Sequence, residues 1–439
     1  MIDKEAYQLF LRYRVIVSSF IIVCLASFLF PVQVFGHSDP VFFSPAPNSK
    51  LEESPAEVSI QFQSKIDASL YTLQVMNEEQ QEISNQPATL DSNQTILTIS
   101  LPPLSDGTYT VKYSVVAKDG HPQQDSYNFS IIPSESSHET PGFTQSSPIS
   151  NPHTPESHHG SPVPETDGSS NNIAFIDMLI YLIRGLYYFG LLWITGWIIW
   201  KYLLQKEEKM VPVKYQQWGL VAQMFFLLGL LSMILLQIIG ITDSGIAIKT
   251  EIPLTSVFGS IWIAVLAISL LGVFVLFKSK GIDMLWLLSI LILSGLEGHS
   301  TDFEPVIIFV ILDAVHLAVA SIWCSGLIFI MLFWKKQRLH VYDFLPLYSK
   351  YALFSFILLL VTGSLLSIIS LPDIHSLFNT QWGWMLLCKL ILVIFIGIVG
   401  GTIRKKMKTS VNDQLKLLLI FDFILMLLII GVVSVLTYI

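Results

Sequence analysis

The sequence predicts an all-β sandwich joined by a disordered linker to an all-α polytopic membrane bundle of about eight helices. The 439 residues are 52% hydrophobic and only 13% charged, and the mean hydropathy is +0.60. These values are far more apolar than those of a soluble chain of this size. The apolar residues are concentrated in 173–439, whereas 37–172 is polar and rich in Pro and Ser. Between 58 and 131, short runs are apolar at every second position.

The first 36 residues have the features of a signal peptide. Arg12 and Arg14 precede an apolar run from Val15 to Phe30, and residues 34–36 offer a cleavage site. Cleavage there makes His37 the N-terminus of the mature protein. The alternative is an uncleaved anchor helix, for which the apolar run is somewhat short.

The next segment, 37–132, contains five runs with period-two alternation. Their apolar residues are Val58, Ile60 and Phe62; Tyr71, Leu73 and Val75; Leu97, Ile99 and Leu101; Tyr109, Val111, Tyr113 and Val115; and Tyr127, Phe129 and Ile131. Turn-forming clusters at 105–107 and 118–120 separate some of the runs. The pattern predicts a small antiparallel sandwich in which each strand buries one face.

Residues 133–172 are rich in Ser, Pro, Thr, Asn and His and carry scarcely any large apolar side chain. Such a segment cannot bury enough surface to offset its ordering entropy, so we expect a flexible, disordered tether. Four histidines lie in it: His138, His153, His158 and His159. They could capture metal transiently, or they could be ordinary exposed linker residues.

The membrane domain, 173–439, divides into eight apolar runs. They are 173–200, 215–240, 257–277, 282–296, 305–334, 350–371, 381–403 and 413–438. Each run is long enough, or nearly so, to cross hydrocarbon as a helix, and 282–296 is the weakest.

Charges in the loops predict the orientation. Four loops are basic: Lys201, Lys206, Lys209 and Lys214; Lys278 and Lys280; Lys335, Lys336 and Arg338; and Arg404, Lys405, Lys406 and Lys408. They alternate with loops that carry acidic residues, namely Asp243 and Glu251, then Glu297, Asp302 and Glu304, and then Asp373. The positive-inside rule therefore predicts a multi-pass cell-membrane protein whose sandwich and C-terminus face outside.

Composition also excludes several classes of function. The net charge of −8 leaves no basic surface for nucleic acid. All three cysteines lie in apolar segments, so the exported part has no disulfide and no thiolate ligand. No nucleotide-binding Walker motif is present, which argues against ATP-driven transport.

A histidine at a processed N-terminus is an unusual metal ligand, because its amine and its Nδ1 can close a chelate ring on one ion. Copper(II) favours tetragonal nitrogen and oxygen ligands. The turn 119–122 offers two more donors in Asp119 and His121. Taken alone, this turn is weak evidence, since Asp-Gly is common turn chemistry and such a His is usually plain surface.

The combination gains weight from a resemblance. The segments HSDPVFFSPAPNSKLEESPAEVSIQF and YTVKYSVVAKDGHPQQDSYNFSI resemble the CopC family of extracytoplasmic copper-binding proteins across nearly all of 37–132. The resemblance implies an immunoglobulin-like or cupredoxin-like Greek-key sandwich. It also implies that His37, Asp119 and His121 hold copper(II). Some CopC proteins have a Met-rich copper(I) site, but this segment offers only Met76, so we expect no second site.

In the membrane half, Asp313 and His316 are spaced i, i+3 on one predicted helix. Burying an ionisable side chain inside the membrane costs free energy, so such residues are candidates for a functional role. With His299 in the preceding outer loop, they form a candidate translocation path. The alternative is a structural ion-pair network in which Arg184 or Lys389 neutralises Asp313.

The segments GHSTDFEPVIIFVILDAVHLAVASIWCSGL and NTQWGWMLLCKLILV are similar to the CopD family of copper-resistance and copper-import membrane proteins. That resemblance extends over roughly 173–439. A chain with both halves resembles CopC–CopD fusions, which implies copper capture outside the cell and copper import.

The sequence is also compatible with other functions. The protein could sequester copper for resistance, or deliver it to another copper-accepting protein, with the bundle as an anchor; import could require a copper reductase. An enzyme is not expected, since Asp119 would occupy the open position that a copper oxygenase needs for dioxygen. A membrane haem protein generally binds its haem through paired histidines, and only His316 lies deep in the predicted bundle, so a bis-histidine haem is not expected.

Overall fold

The computed structural model describes residues 40–84, 86–117, 122–132, 169–206, 211, 214–243, 257–297, 305–335, 337–370, 375–407 and 413–438. The predicted signal peptide and residues 133–168 of the predicted linker lie outside this part of the chain. So do the four linker histidines.

The N-terminal domain is a sandwich of two four-stranded sheets. The strands are β1 (Pro40–Ser44), β2 (Lys50–Leu51), β3 (Glu57–Phe62), β4 (Ile66–Met76), β5 (Thr89–Leu90), β6 (Ile96–Ser100), β7 (Gly107–Ala117) and β8 (Pro122–Ile131). One sheet has the order β1-β3-β6-β5 and the other β2-β8-β7-β4. All pairs are antiparallel except β2 with β8, which is parallel.

The alternating residues form the sandwich core, as predicted. Val58 and Ile60 of β3, Leu97 of β6 and Val111 of β7 are fully buried. Tyr109 of β7 stacks on Phe129 of β8, with the ring centroids 5.5 Å apart. The long strands β3, β4, β6, β7 and β8 thus bury apolar side chains between the two sheets.

The helical domain contains nine helices among the described residues. They are α1 (Ser169–Lys206), α2 (Tyr215–Asp243), α3 (Val257–Val275), α4 (Lys280–Leu296), α5 (Val306–Phe333), α6 (Arg338–Ser370), α7 (Ser376–Asn379), α8 (Gln381–Met407) and α9 (Asp413–Leu436). Apart from the four-residue α7, they correspond to the eight predicted runs.

Six of these helices, α1, α2, α5, α6, α8 and α9, are long and apolar enough to cross a membrane. The helix α3 is apolar but shorter, and α4, the weakest of the predicted runs, has 17 residues. Large apolar side chains such as Leu271, Phe274, Ile307 and Ile394 are more than half exposed on the outside of the bundle. Such a surface suits lipid rather than water, and the chain is a multi-pass membrane protein.

The helix α1 packs against α2, α4, α5 and α9. Its Trp197 donates to the carbonyl oxygen of Tyr215 at 2.9 Å, and the Tyr215 hydroxyl donates back to the carbonyl oxygen of Trp197 at 2.6 Å. Gly190 allows the backbone of α2 to approach closely, since a Cβ there would lie 2.6 Å from backbone atoms of Phe226. Small residues at helix crossings are typical of membrane bundles.

Candidate metal centres

The predicted copper(II) ligands His37, Asp119 and His121 lie outside the described residues. Their flanking strands, however, are described. Strands β7 and β8 form a hairpin in which Val116 pairs with Pro122. The segment that carries Asp119 and His121 is therefore the connection of this hairpin.

The start of β1 lies at the same end of the sandwich as that connection. Pro40 pairs with Phe62, the last residue of β3. Residues 63–65 then lead directly into β4, whose first residue, Ile66, pairs with Ala117 at the end of β7. Pro40 follows His37 by three positions, and an extended chain of that length spans about 10 Å. That reach is comparable to the ~10 Å separation of packed sheets.

Aromatic side chains connect β1 to the β7–β8 hairpin. The ring of Phe43 lies 4.9 Å from that of Tyr127 and 6.4 Å from that of Tyr113, centroid to centroid. Burial raises the pKa of Tyr127 well above its usual range. The phenol therefore stays neutral near pH 7 and supplies no anionic oxygen to a metal.

Sequence analysis missed one carboxylate at this end of the sandwich. Asp67 follows Ile66 in β4 and is 6% exposed. Its Oδ1 accepts hydrogen bonds from the amide of Ser69 at 2.9 Å and from the hydroxyl of Ser69 at 2.6 Å. In the sequence, Asp67 is a charged residue beside an apolar run, and this pattern by itself does not predict that the side chain is buried.

In the membrane half, His316 of α5 contacts α6. Its Nδ1 lies 2.8 Å from Oγ1 of Thr362, and that hydroxyl also lies 2.8 Å from the carbonyl oxygen of Leu358. Thr362 has one hydroxyl proton, which it donates to Leu358, so Nδ1 of His316 must be the donor to Thr362. The neutral imidazole then keeps its lone pair on Nε2, the atom that can bind a metal or a proton.

Ionisable groups on neighbouring helices link this histidine to α1 and α8. Lys389 of α8 lies within electrostatic range of both His316 and Asp313. Tyr188 of α1 lies within range of Asp313, Arg184 and Glu297. The predicted pair thus belongs to a network of ionisable groups that extends to the end of α4.

Glu297, at one end of this network, follows the last residue of α4. One of its carboxylate oxygens accepts a hydrogen bond of 2.7 Å from the hydroxyl of Tyr187. Arg184, one turn before Tyr188, donates to the carbonyl oxygen of Thr437 at 2.6 Å. His299, the predicted entrance, lies outside the described residues.

The membrane network is not a closed metal cage. Among the described residues, no group of three or more His, Cys, Asp or Glu side chains is placed to hold a metal ion. Cys324 is buried and Cys388 is partly buried, and both are free thiols.

Comparisons with known families match both halves of the chain. The CopC domain model matches residues 41–132, and the model of copper resistance protein D, CopD, matches residues 342–436. The chain joins a CopC domain to a CopD domain. The CopD match contains Thr362, Lys389, most of α6 and all of α7 to α9, whereas Asp313 and His316 precede it.

Individual relatives agree with this assignment. The copper transport protein CutJ of Bacillus subtilis is 25% identical over 427 residues, which cover 90% of this chain and 73% of CutJ. The protein YobA of Escherichia coli K12 is 26% identical over 110 residues, covering 24% of this chain and 88% of YobA.

Several solved structures match about a quarter of the chain or less. CopC from Methylosinus trichosporium OB3b is 26% identical, with a TM-score of 0.21, and the match covers 24% of this chain and 98% of that one. The methionine-rich copper resistance protein PcoC of Escherichia coli is 18% identical, with a TM-score of 0.19, over 22% of this chain and 100% of PcoC. The family names are those of copper resistance and copper transport proteins rather than enzymes.

Proposed function

We propose that this protein captures copper(II) outside the cell membrane through His37, Asp119 and His121 and passes copper inward through the helical bundle. The observation that carries the proposal is the union of a CopC and a CopD domain in one chain that is similar to a copper transport protein along most of its length. In support, the strand register brings the start of β1 and the β7–β8 connection to one end of the sandwich.

The proposed organisation has four parts. Residues 1–36 are a signal peptide, 37–132 the copper-binding domain, 133–172 a tether and 173–439 the membrane domain. The metal-binding end of the sandwich faces the outer end of the bundle. In support, a Cβ on Gly240 of α2 would lie 3.4 Å from Cγ of Pro122, the residue after His121. Gly240 lies near the end of α2 opposite to Lys214, which belongs to a basic loop.

The capture chemistry follows from the ligands. The amine and Nδ1 of His37 chelate the ion, and the carboxylate of Asp119 and the imidazole of His121 complete a site of three nitrogens and one oxygen. An N-terminal amine has an ordinary pKa of about 8, so copper must displace its proton near neutral pH. Binding should therefore weaken as the pH falls.

Transfer through the bundle uses the network around His316. Copper leaves the sandwich near Glu297 and His299 and contacts Asp313 and Nε2 of His316. The proposal includes a copper reductase as a partner, because the bundle's Met and Cys side chains suit copper(I) better than copper(II).

The capture site is tested by copper titration of the secreted 37–132 domain, followed by electron paramagnetic resonance. This domain has a core of its own, so it can be studied separately. The wild type should give one tetragonal copper(II) signal. A variant with one extra residue before His37 should lose it, as should Asp119→Ala with His121→Ala, while Asp106→Ala at a distant turn should keep it. Unchanged affinity in the extended variant would exclude the amine as a ligand.

A second candidate is copper resistance by extracytoplasmic sequestration, because the matched CopD model is named for resistance. The two functions predict opposite phenotypes for a deletion strain. Import predicts lower cell copper and poorer growth in copper-poor medium. Sequestration predicts normal growth there and greater sensitivity to added copper.

A further inference from the structure

A cavity lies in the half of the bundle that carries the basic loops, away from the His316 network. Its volume is about 180 Å³, and side chains from α5, α6, α8 and α9 line it. Arg404 of α8 and Ser349 of α6 lie at the end of the cavity near the helix termini, and Arg404 donates to the carbonyl oxygen of Ser349 at 3.4 Å. Asp422 of α9 and Trp323 of α5 lie deeper.

The notable group in this cavity is the carboxyl group of Asp422, which is 3% exposed. Trp323 donates a side-chain hydrogen bond to it. Its Oδ1 has no hydrogen-bond partner among the described residues, and neither does the nearby hydroxyl of Tyr348. An ionised carboxylate with an unsatisfied oxygen is very costly at this depth, whereas a protonated one is tolerated.

In the described part of the bundle, no cationic side chain forms a strong ion pair with the carboxyl group of Asp422. Tyr348 of α6 lies within electrostatic range of Asp422 and also of Cys324 of α5. Arg404 lines the same cavity on α8. On α1, which also packs against α9, Lys201 is paired with Asp283.

We propose that Asp422 is a proton-binding site that exchanges its proton with water through this cavity. The geometry favours a proton over a metal ion, because the lining supplies a single carboxylate and no histidine or cysteine. The route runs past Gly400 and Gly401, where a Cβ would meet no atom within 4 Å. The site goes beyond copper capture and import and does not depend on them.

Proton binding by Asp422 is tested by infrared difference spectroscopy of the full-length protein in liposomes, comparing acidic with alkaline buffer. Besides the bands of exposed carboxyl groups, the wild type should show a separate C=O band of a protonated carboxyl in an apolar environment, and this band should shift in D2O. Asp422→Asn should lack this band, Asp422→Glu should keep it at a changed frequency, and Asp343→Asn, which alters an exposed carboxylate of α6, should leave it unchanged. A band that persists in Asp422→Asn would overturn the proposal, as would its absence from the wild type.

The route is tested by the rate at which that band shifts after transfer to D2O. Gly400→Leu should place a side chain in the open space of the cavity and slow the exchange several-fold. Gly281→Leu is the matched control, since a Cβ at this position on α4 also meets no atom within 4 Å. Equal rates in Gly400→Leu and the wild type would exclude this cavity as the path.

Discussion

The single hydroxyl proton of Thr362 decides how His316 presents its imidazole. Changing Thr362→Val removes the acceptor for Nδ1 but keeps the shape of the side chain. An unsatisfied donor at this depth costs about 1–3 kcal/mol, and the ring can then rotate or change tautomer. We expect Thr362→Val to lower copper uptake into proteoliposomes, measured by mass spectrometry of the trapped metal.

Thr362→Ser is the matched control, because serine keeps the hydroxyl. It should retain most of the uptake. If Thr362→Val transports as well as the wild type, the hydroxyl has no part in orienting the histidine.

Asp91 gives the sandwich a pH-dependent contribution to stability. Burial is the largest single cause and raises the pKa of its carboxyl, but the hydrogen bonds from the amides of Ile96, Thr95 and Asn93 together outweigh it and hold the pKa below its ordinary value of 3.8. Because the folded pKa is the lower one, the contribution is complete above the ordinary value and is lost as the pH falls through the folded value. Asp91→Asn should lower the free energy of unfolding by about 1–2 kcal/mol at pH 7.

Chemical denaturation of the 37–132 domain between pH 3 and pH 7 measures this effect. The difference between wild type and Asp91→Asn should shrink towards the acidic end. Asp125→Asn serves as a control, since Asp125 is exposed and accepts a hydrogen bond only from the neighbouring amide of Ser126 among the described contacts. A difference that stays constant with pH would contradict the assignment.

At the scale of elements, alternation identified the long strands but not the short ones. Strands β3, β4, β6, β7 and β8 carry the predicted period-two pattern, since each buries one face. Strands β2 and β5 have two residues each, too few for a period to be visible. In β1 the exposed pair Val41 and Phe42 breaks the alternation. The helices were easier, because a membrane span is recognised by the length of its apolar run.

The site was less accessible to sequence reasoning than the fold. Asp313 and His316 were visible as a pair because helical spacing places them on one face. The partner of His316, Thr362, lies 46 positions away on another helix, so only the packing of α5 against α6 reveals it. Lys389 was recognised as a possible partner of Asp313, but its proximity to His316 also depends on the packing of α8.

A buried ion pair joins α1 to the first turn of α4. Lys201 Nζ lies 3.1 Å from Oδ2 of Asp283, which also accepts a hydrogen bond from Tyr202. Oδ1 of Asp283 accepts a hydrogen bond of 2.8 Å from the amide of Phe277. Phe277 has a positive φ of 67°. Asp283→Asn leaves Lys201 buried without a full counter-charge, so we expect a loss of about 3–5 kcal/mol.

Thermal unfolding in detergent, followed by fluorescence-detected size exclusion, measures this loss. The double variant Lys201→Met with Asp283→Leu should recover part of the stability, because it removes both charges. Asp343→Asn, at an exposed position of α6, should have no effect. A single variant as stable as the wild type would show that the pair does not secure this turn.

At the scale of the whole molecule, the sandwich and the bundle have separate hydrophobic cores. If import proceeds from one to the other, the two halves act in series on the same copper ion. Asp119→Ala with His121→Ala should lower copper accumulation in copper-poor medium, and so should His316→Gln. A protein that carries all three changes should accumulate no less copper than whichever of these two variants accumulates less. The reason is that losses at successive steps of one path are not additive.

The external copper concentration separates the two steps further. Abundant copper can reach the bundle without capture, so accumulation in the sandwich variant should recover as copper is added. His316→Gln should not recover, because every ion that crosses must still pass this residue. Asp343→Asn is the control for expression and insertion. Recovery of His316→Gln, or a fully additive loss in the combined variant, would mean that the two sites do not lie on one path.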